Sequence, residues 1–267
     1  MNRRNSPSVG LYIFSLASIV TGVLDLVWHE FEPAHEPLQA YGDNIPGRTI
    51  CAIIVACCLV AAGAAILSRK TARYGAVALG IIFCLFAVFW LPRFYWVTVY
   101  RGVHIGNFIG VFGGVCQQLF LAGGAMLVYA ANEPAGSPAR ANAFRRGLWI
   151  IGFSSVDFGL MHLTGIQPAA DFVPKWIPLG GTFWAIVTGI LFLLAGLAIL
   201  TGIRDVLAAW LLGLMLLLFS ALILTPMTFA APYDHTSWGG NFYNLTAVGA
   251  AWMLAEQLAL RRKAVES

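Results

Sequence analysis

The sequence predicts an all-α integral membrane protein with eight transmembrane helices, arranged as two parallel-repeat four-helix bundles. The chain is 59% hydrophobic and only 10% charged, with a mean hydropathy of +0.78, whereas a soluble globular domain carries roughly 25% charged residues. Its apolar residues gather in runs of about 20, long enough to cross a hydrocarbon core about 30 Å thick as helices. The sequence is also written twice. Ile45 and Pro46, Thr49, Ala52, Ile66 and Leu67, Pro92 and the tripeptide Gly106, Asn107, Phe108 return 132 to 134 residues later. Their counterparts are Ile177 and Pro178, Thr182, Ala185, Ile199 and Leu200, Pro226, and Gly240, Asn241, Phe242.

The eight runs are 10–29, 49–67, 74–91, 107–130, 147–163, 182–203, 206–224 and 241–260. Their continuity excludes a β-barrel, whose strands alternate apolar and polar residues. The first run follows Arg3 and Arg4 as a secretory signal would. It is too long for a signal core and precedes acidic residues rather than a small-residue cleavage site, so it reads as a retained span. The units are residues 1–131 and 147–267. Residues 132–146 are a polar cytoplasmic linker in which Glu133, Pro134, Gly136 and then Arg140, Arg145 and Arg146 interrupt the apolar pattern. An even number of spans per unit gives both the same orientation, related by an axis along the membrane normal.

The formal net charge of +4 follows from orientation. With both termini cytoplasmic, twelve cations, including Arg69, Lys70, Arg73, Arg204 and Arg262, fall on the inner side. Arg48, Arg93, Arg101 and Lys175 fall outside, which is the positive-inside bias of an inner or plasma membrane protein. The lipid bilayer is then the partner and no nucleic acid is required. The outer connections are the long ones, where binding tends to be placed, and their prolines, among them Pro33, Pro37, Pro168 and Pro174, predict short interfacial helices or turns. Trp28, Trp90, Trp96, Trp176, Trp184 and Trp238 form a headgroup-level belt. Small residues, including Gly63, Gly110, Gly113, Gly114, Gly123, Gly124 and Gly196, are assigned to close helix packing.

The second unit runs from His162 through Pro168 and the stretch 173–178 into a helix bearing Thr188, Gly189, Ala195 and Gly196, a basic turn at Arg204 and a helix ending in Pro226. This pattern resembles the DoxX-like family of four-helix membrane proteins, and the first unit looks like a more divergent copy. Some relatives are associated with sulfur or quinone redox complexes, so the resemblance implies a four-helix fold more than a reaction, with a quinone ligand and a redox protein partner as the associations it carries. It implies no transferable catalytic set.

His29, His35, His104, His162 and His235 all fall on the outer side, with Asn107 and Asn241 opening the fourth helix of each unit. An intramembrane carboxylate is costly, about 2.5 to 3.5 kcal/mol on insertion scales, so Asp25 and Asp157 are expected to face the interior. The functional reading is one polar pocket per unit, built from Asp25, His29 and Asn107 in the first and Asp157, His162 and Asn241 in the second, suited to a quinone ring. The alternative is that these groups satisfy one another and cap helix ends.

The run 29–36 holds two histidines and three carboxylates, which are metal-ligand types, but it lacks zincin spacing and has no counterpart in the second unit. A solvated acidic loop is the plainer reading. Cys51, Cys57, Cys58, Cys84 and Cys116 form no Cys-x-x-Cys motif and read as small buried apolar residues. Glu256 is expected to snorkel toward Arg261. Asn244 and Thr246 spell a glycosylation sequon inside a span, where it is silent. Two functions remain: an accessory, quinone- or lipid-binding subunit associated with redox proteins, and a small-molecule or proton-coupled transporter with its site between the units. A shortage of broken helices speaks against the transporter.

Overall fold

Ser8 opens the first helix by accepting the Leu11 N–H on its hydroxyl at 3.0 Å, an N-cap that satisfies one otherwise orphaned donor. The computed structural model describes residues 8–33 and 46–266. Among these the chain is helical with no strand. The elements are α1 (Val9–Trp28), α2 (Arg48–Ile66), α3 (Ala72–Trp90), α4 (Arg93–Arg101), α5 (Ile105–Asn132), α6 (Pro138–Thr164), α7 (Ile166–Asp171), α8 (Gly180–Thr201), α9 (Asp205–Phe219), a π-helical turn at Ser220–Leu224, α10 (Thr225–Ala230) and α11 (His235–Glu266).

Among the described residues six helical stretches are long and apolar enough to cross a membrane: Val9–Trp28, Arg48–Ile66, Ala72–Arg101, Ile105–Asn132, Gly180–Thr201 and Asp205–Ala230. The other two long helices, α6 and α11, are more polar. They carry Asp157 and His162, and Asn241, Asn244, Glu256 and Gln257 respectively.

The eight long helices pack in chain order as a closed ring, α1 on α2, α2 on α3, α3 on α5, α5 on α6, α6 on α8, α8 on α9 and α9 on α11. The ring closes between α11 and α1, so α1 lies against the last helix of the chain rather than against α5. A cross-contact of α5 with α11 fills the middle, and 72% of the apolar stretch of α5 is buried.

Glycines set the closest seams. A Cβ on Gly10 would meet the Gly249 carbonyl at 2.7 Å, and one on Gly123 would meet the Gly147 carbonyl at 3.2 Å. Backbones can approach this closely only where no side chain intervenes. Gly63 and Gly196 are likewise packed, whereas Gly110 has nothing within 4 Å and borders the cavity described below.

One end of the ring carries the tight turns and the other the long connections. At the tight-turn end Arg262 reaches both the Gly202 carbonyl at 2.9 Å and Asp205 at 2.5 Å, tying α11 to the start of α9. Glu256 does not turn to Arg261. Its carboxylate accepts from the Ser8 hydroxyl and from the Gly10 N–H at 3.3 Å, because the orphaned donors at a helix start attract an anion. Arg261 lies over the Phe144 ring at 3.5 Å.

Three further expectations are corrected. The linker shrinks to residues 133–137, because Ser137 accepts from Arg140 N at 3.2 Å and Pro138 supplies a ready-made first helical position, so Arg140, Arg145 and Arg146 belong to α6. Cys51, Cys57 and Cys58 are exposed on α2, and only Cys116 is fully buried; the lipid-facing side of a membrane helix accepts a small apolar thiol as readily as the core does. Finally, the long helix that begins at Asp205 is broken. Pro226 has no N–H to give the carbonyl four residues earlier, and the preceding turn widens to π geometry, with Thr225 N bonding the Ser220 carbonyl.

Candidate functional site

The ionisable groups of the long-connection end assemble across the ring seams. Asp25, on the last turn of α1, is fully buried. Its Oδ1 accepts the Glu32 N–H at 3.1 Å and lies 3.2 Å from His235 Nε2. The other nitrogen of His235 is 3.4 Å from Glu30, which in turn lies 4.0 Å from Arg48. Trp28 stacks flat on the imidazole, with centroids 4.9 Å apart. His235 can sit here because α11 starts at that residue, capped by Asp234, which accepts from the Ser237 N–H at 2.9 Å and hydroxyl at 2.6 Å. The Ser237 hydroxyl bond holds the Asp234 carboxyl below the usual carboxylate range.

His29 takes no part in this cluster. It is exposed, with a left-handed backbone (φ 56°) that ends α1. Asn107 lies elsewhere too, its amide donating to the carbonyls of Arg101 at 3.4 Å and Gly102 at 3.3 Å, which straps α4 to α5. Asp157 is 5% exposed and faces α5, where Gly113 leaves room for its carboxylate. Asn241 donates to the Thr225 hydroxyl at 3.1 Å. His162 bonds through Nδ1 to the Phe158 carbonyl at 2.8 Å. The two expected triplets therefore do not converge; each member serves its own seam or turn.

The acidic run 29–36 leaves the described residues at position 34, so His35 and Glu36 lie outside them. Among the described residues no three His, Cys, Asp or Glu side chains gather where they could hold a metal ion.

What does open inside the ring is a cavity of about 1460 Å³ bounded by α5, α6, α8, α9 and α11. It runs from Arg101, His104 and Asn107 at the long-connection end to Arg204 at the tight-turn end. Its wall is mainly apolar, with leucine the most frequent residue. Lining residues Leu194 on α8 and Leu211 on α9 are also 58% and 52% exposed, so the cavity opens sideways between those helices. No family model, curated protein or solved structure matches this chain.

Of the six residues singled out from sequence, His162 and Asn107 line the cavity. The polar groups on its wall that went unrecognised include Gln117, Thr164, Thr188, Tyr243 and Asn244. Asn244 donates one amide hydrogen to the Leu216 carbonyl at 2.7 Å and the other to the Ser220 hydroxyl at 2.9 Å. It therefore braces α9 just where the π turn begins, and π turns recur beside functional sites. The available signal was its spacing, three residues after Asn241, which sets two amides on one face of α11.

Proposed function

We propose that this protein is a tandem DoxX-like membrane protein that binds an apolar small molecule, a quinone or a lipid, in a cavity reached from the bilayer, and that it serves as an accessory subunit to a redox protein. The observation that carries the reading is the cavity of about 1460 Å³ with its lateral opening. It exceeds the few hundred to about 1,000 Å³ of ordinary small-molecule pockets, it is long enough for an extended chain, and its walls are apolar with few polar groups. A sideways opening between two membrane helices admits lipid-soluble molecules and gives no route to ions.

In this reading all eight long helices cross the membrane, as two four-helix repeats of the same orientation. The recurrence of Asn107 as Asn241 and of Pro92 as Pro226 supports the duplication. So does the break of the third long helix of each unit near its proline. The Arg- and Lys-rich tight-turn end supports cytoplasmic termini in a cell membrane.

Purification in mild detergent followed by mass spectrometry of the extracted small molecules and co-purifying proteins tests the function. An apolar molecule at near-stoichiometric yield, lost when Ala195→Trp fills the wall, is expected. Wild-type protein that carries neither a small molecule nor a companion protein overturns it. Maleimide labelling of Lys175→Cys and Arg69→Cys from either side of sealed vesicles tests the orientation.

A further inference from the structure

We infer that the occupant of this cavity carries a free hydroxyl group, donated as a hydrogen bond to His162. This rests on the cavity reading and narrows it to apolar alcohols or phenols with a chain of lipid length. His162 Nδ1 lies 2.8 Å from the Phe158 carbonyl, and a carbonyl oxygen only accepts, so Nδ1 carries the hydrogen. In the neutral imidazole Nε2 is then a bare lone pair, and it has no partner in the protein. No carboxylate lines the cavity, and both of its ends carry an arginine, Arg101 and Arg204, so nothing on the wall supports an imidazolium.

Thr188 and Asn244 on the same wall have also spent their hydrogens. Thr188 gives its hydroxyl hydrogen to the Trp184 carbonyl at 2.7 Å. Asn244 has both amide hydrogens engaged, on Leu216 and on Ser220, and offers only its carbonyl oxygen. These residues form one layer. A Cβ on Gly189, next to Thr188, would lie 3.0 Å from His162 Cβ. Thr188 and the Leu216 to Ser220 segment stand at similar distances on either side of the turn at residues 202–204. The layer therefore asks its ligand for a donor.

A ketone, an ether or an oxidised quinone has only acceptor oxygens and leaves the lone pair of His162 Nε2 without a donor. A hydroxyl donates to His162 and still accepts from the Gln117 amide on the same wall. From this layer to Arg204 the wall runs about 14 residues along α9, or about 20 Å of helix, and it is bordered by Leu191, Leu194, Leu207 and Leu211. A chain of some 15 carbons in extended form fills that length.

The test uses full-length protein in nanodiscs, radiolabelled geranylgeraniol as probe, and unlabelled geranylgeraniol or its methyl ether as competitor. The two competitors differ only in the O–H. The alcohol is expected to compete about tenfold better, the worth of roughly one hydrogen bond, and His162→Phe is expected to abolish the difference while ether binding persists. Equal competition on wild-type protein, or a preference that survives in His162→Phe, overturns the hydroxyl assignment and leaves the cavity reading standing. Absence of any saturable binding overturns both. Should His162→Phe fail to fold, the comparison on wild-type protein decides alone.

Discussion

His235 Nε2 stands 3.2 Å from Asp25 Oδ1, and this contact joins the first long helix to the last. Removing one partner from a buried pair strands the other without compensation, at a cost of about 3 kcal/mol. His235→Ala is therefore expected to lower the unfolding midpoint in detergent by several degrees. Asp25→Leu combined with His235→Leu should recover most of the loss. Thermal unfolding followed by circular dichroism checks both, and a single variant as stable as the double would remove the pair from the account.

Gly249 and Gly110 occupy fourth helices of their respective units, and they are expected to respond oppositely to added bulk. A side chain on Gly249 meets the Gly10 carbonyl and α1 backbone atoms, so Gly249→Val should cost 1 to 3 kcal/mol or more by overpacking, as is typical of dense interiors. Gly110 faces open space, so Gly110→Ala should be neutral or slightly stabilising through helix propensity. Denaturation midpoints of the two variants side by side decide it.

Asn244→Ala leaves the Leu216 carbonyl without its side-chain donor and releases the brace on the π turn. A loss of about 2 kcal/mol is expected from the two hydrogen bonds. Faster amide exchange confined to residues 216–224 would locate the effect, and unchanged exchange there would show that the turn stands without Asn244.

Asp234 caps α11 from an exposed loop, so Asp234→Ala should cost about 1 kcal/mol. Because its carboxyl titrates below the usual range when folded, the cap contributes fully above the unfolded value near pH 4 and fades as the pH falls through the lowered folded value. The stability difference between wild type and Asp234→Ala should therefore be constant from pH 5 to 8 and shrink below pH 4. A difference that grows on acidification would contradict the assignment.

Six of the expected spans coincide with stretches long and apolar enough to cross a membrane, because bilayer thickness fixes the length of such runs. The runs 10–29 and 49–67 match Val9–Trp28 and Arg48–Ile66 to within a residue or two, and apolar composition alone marks them. Partnership was not legible. Equivalent positions in the sequence suggested that Asp25 would meet Asn107 and Asp157 would meet Asn241, but α1 packs on α11 and α5 on α6, so Asp25 faces α11 and Asp157 faces α5. His235 and Asp25 are 210 residues apart, and no local pattern encodes such a pairing. His162 and Asn107, flagged for chemistry, both border the cavity, while much of its wall is ordinary apolar residues whose role depends on how far α8 stands from α9.

Closure of the ring by α1 and α11 also dictates the order of biogenesis. A ribosome delivers α1 before α11, so Asp25 emerges some 210 residues ahead of the His235 imidazole that it meets in the fold. The seam between α1 and α11 can close only once α11 has been made, so the α1 face that packs there waits for a partner through the synthesis of every helix between them.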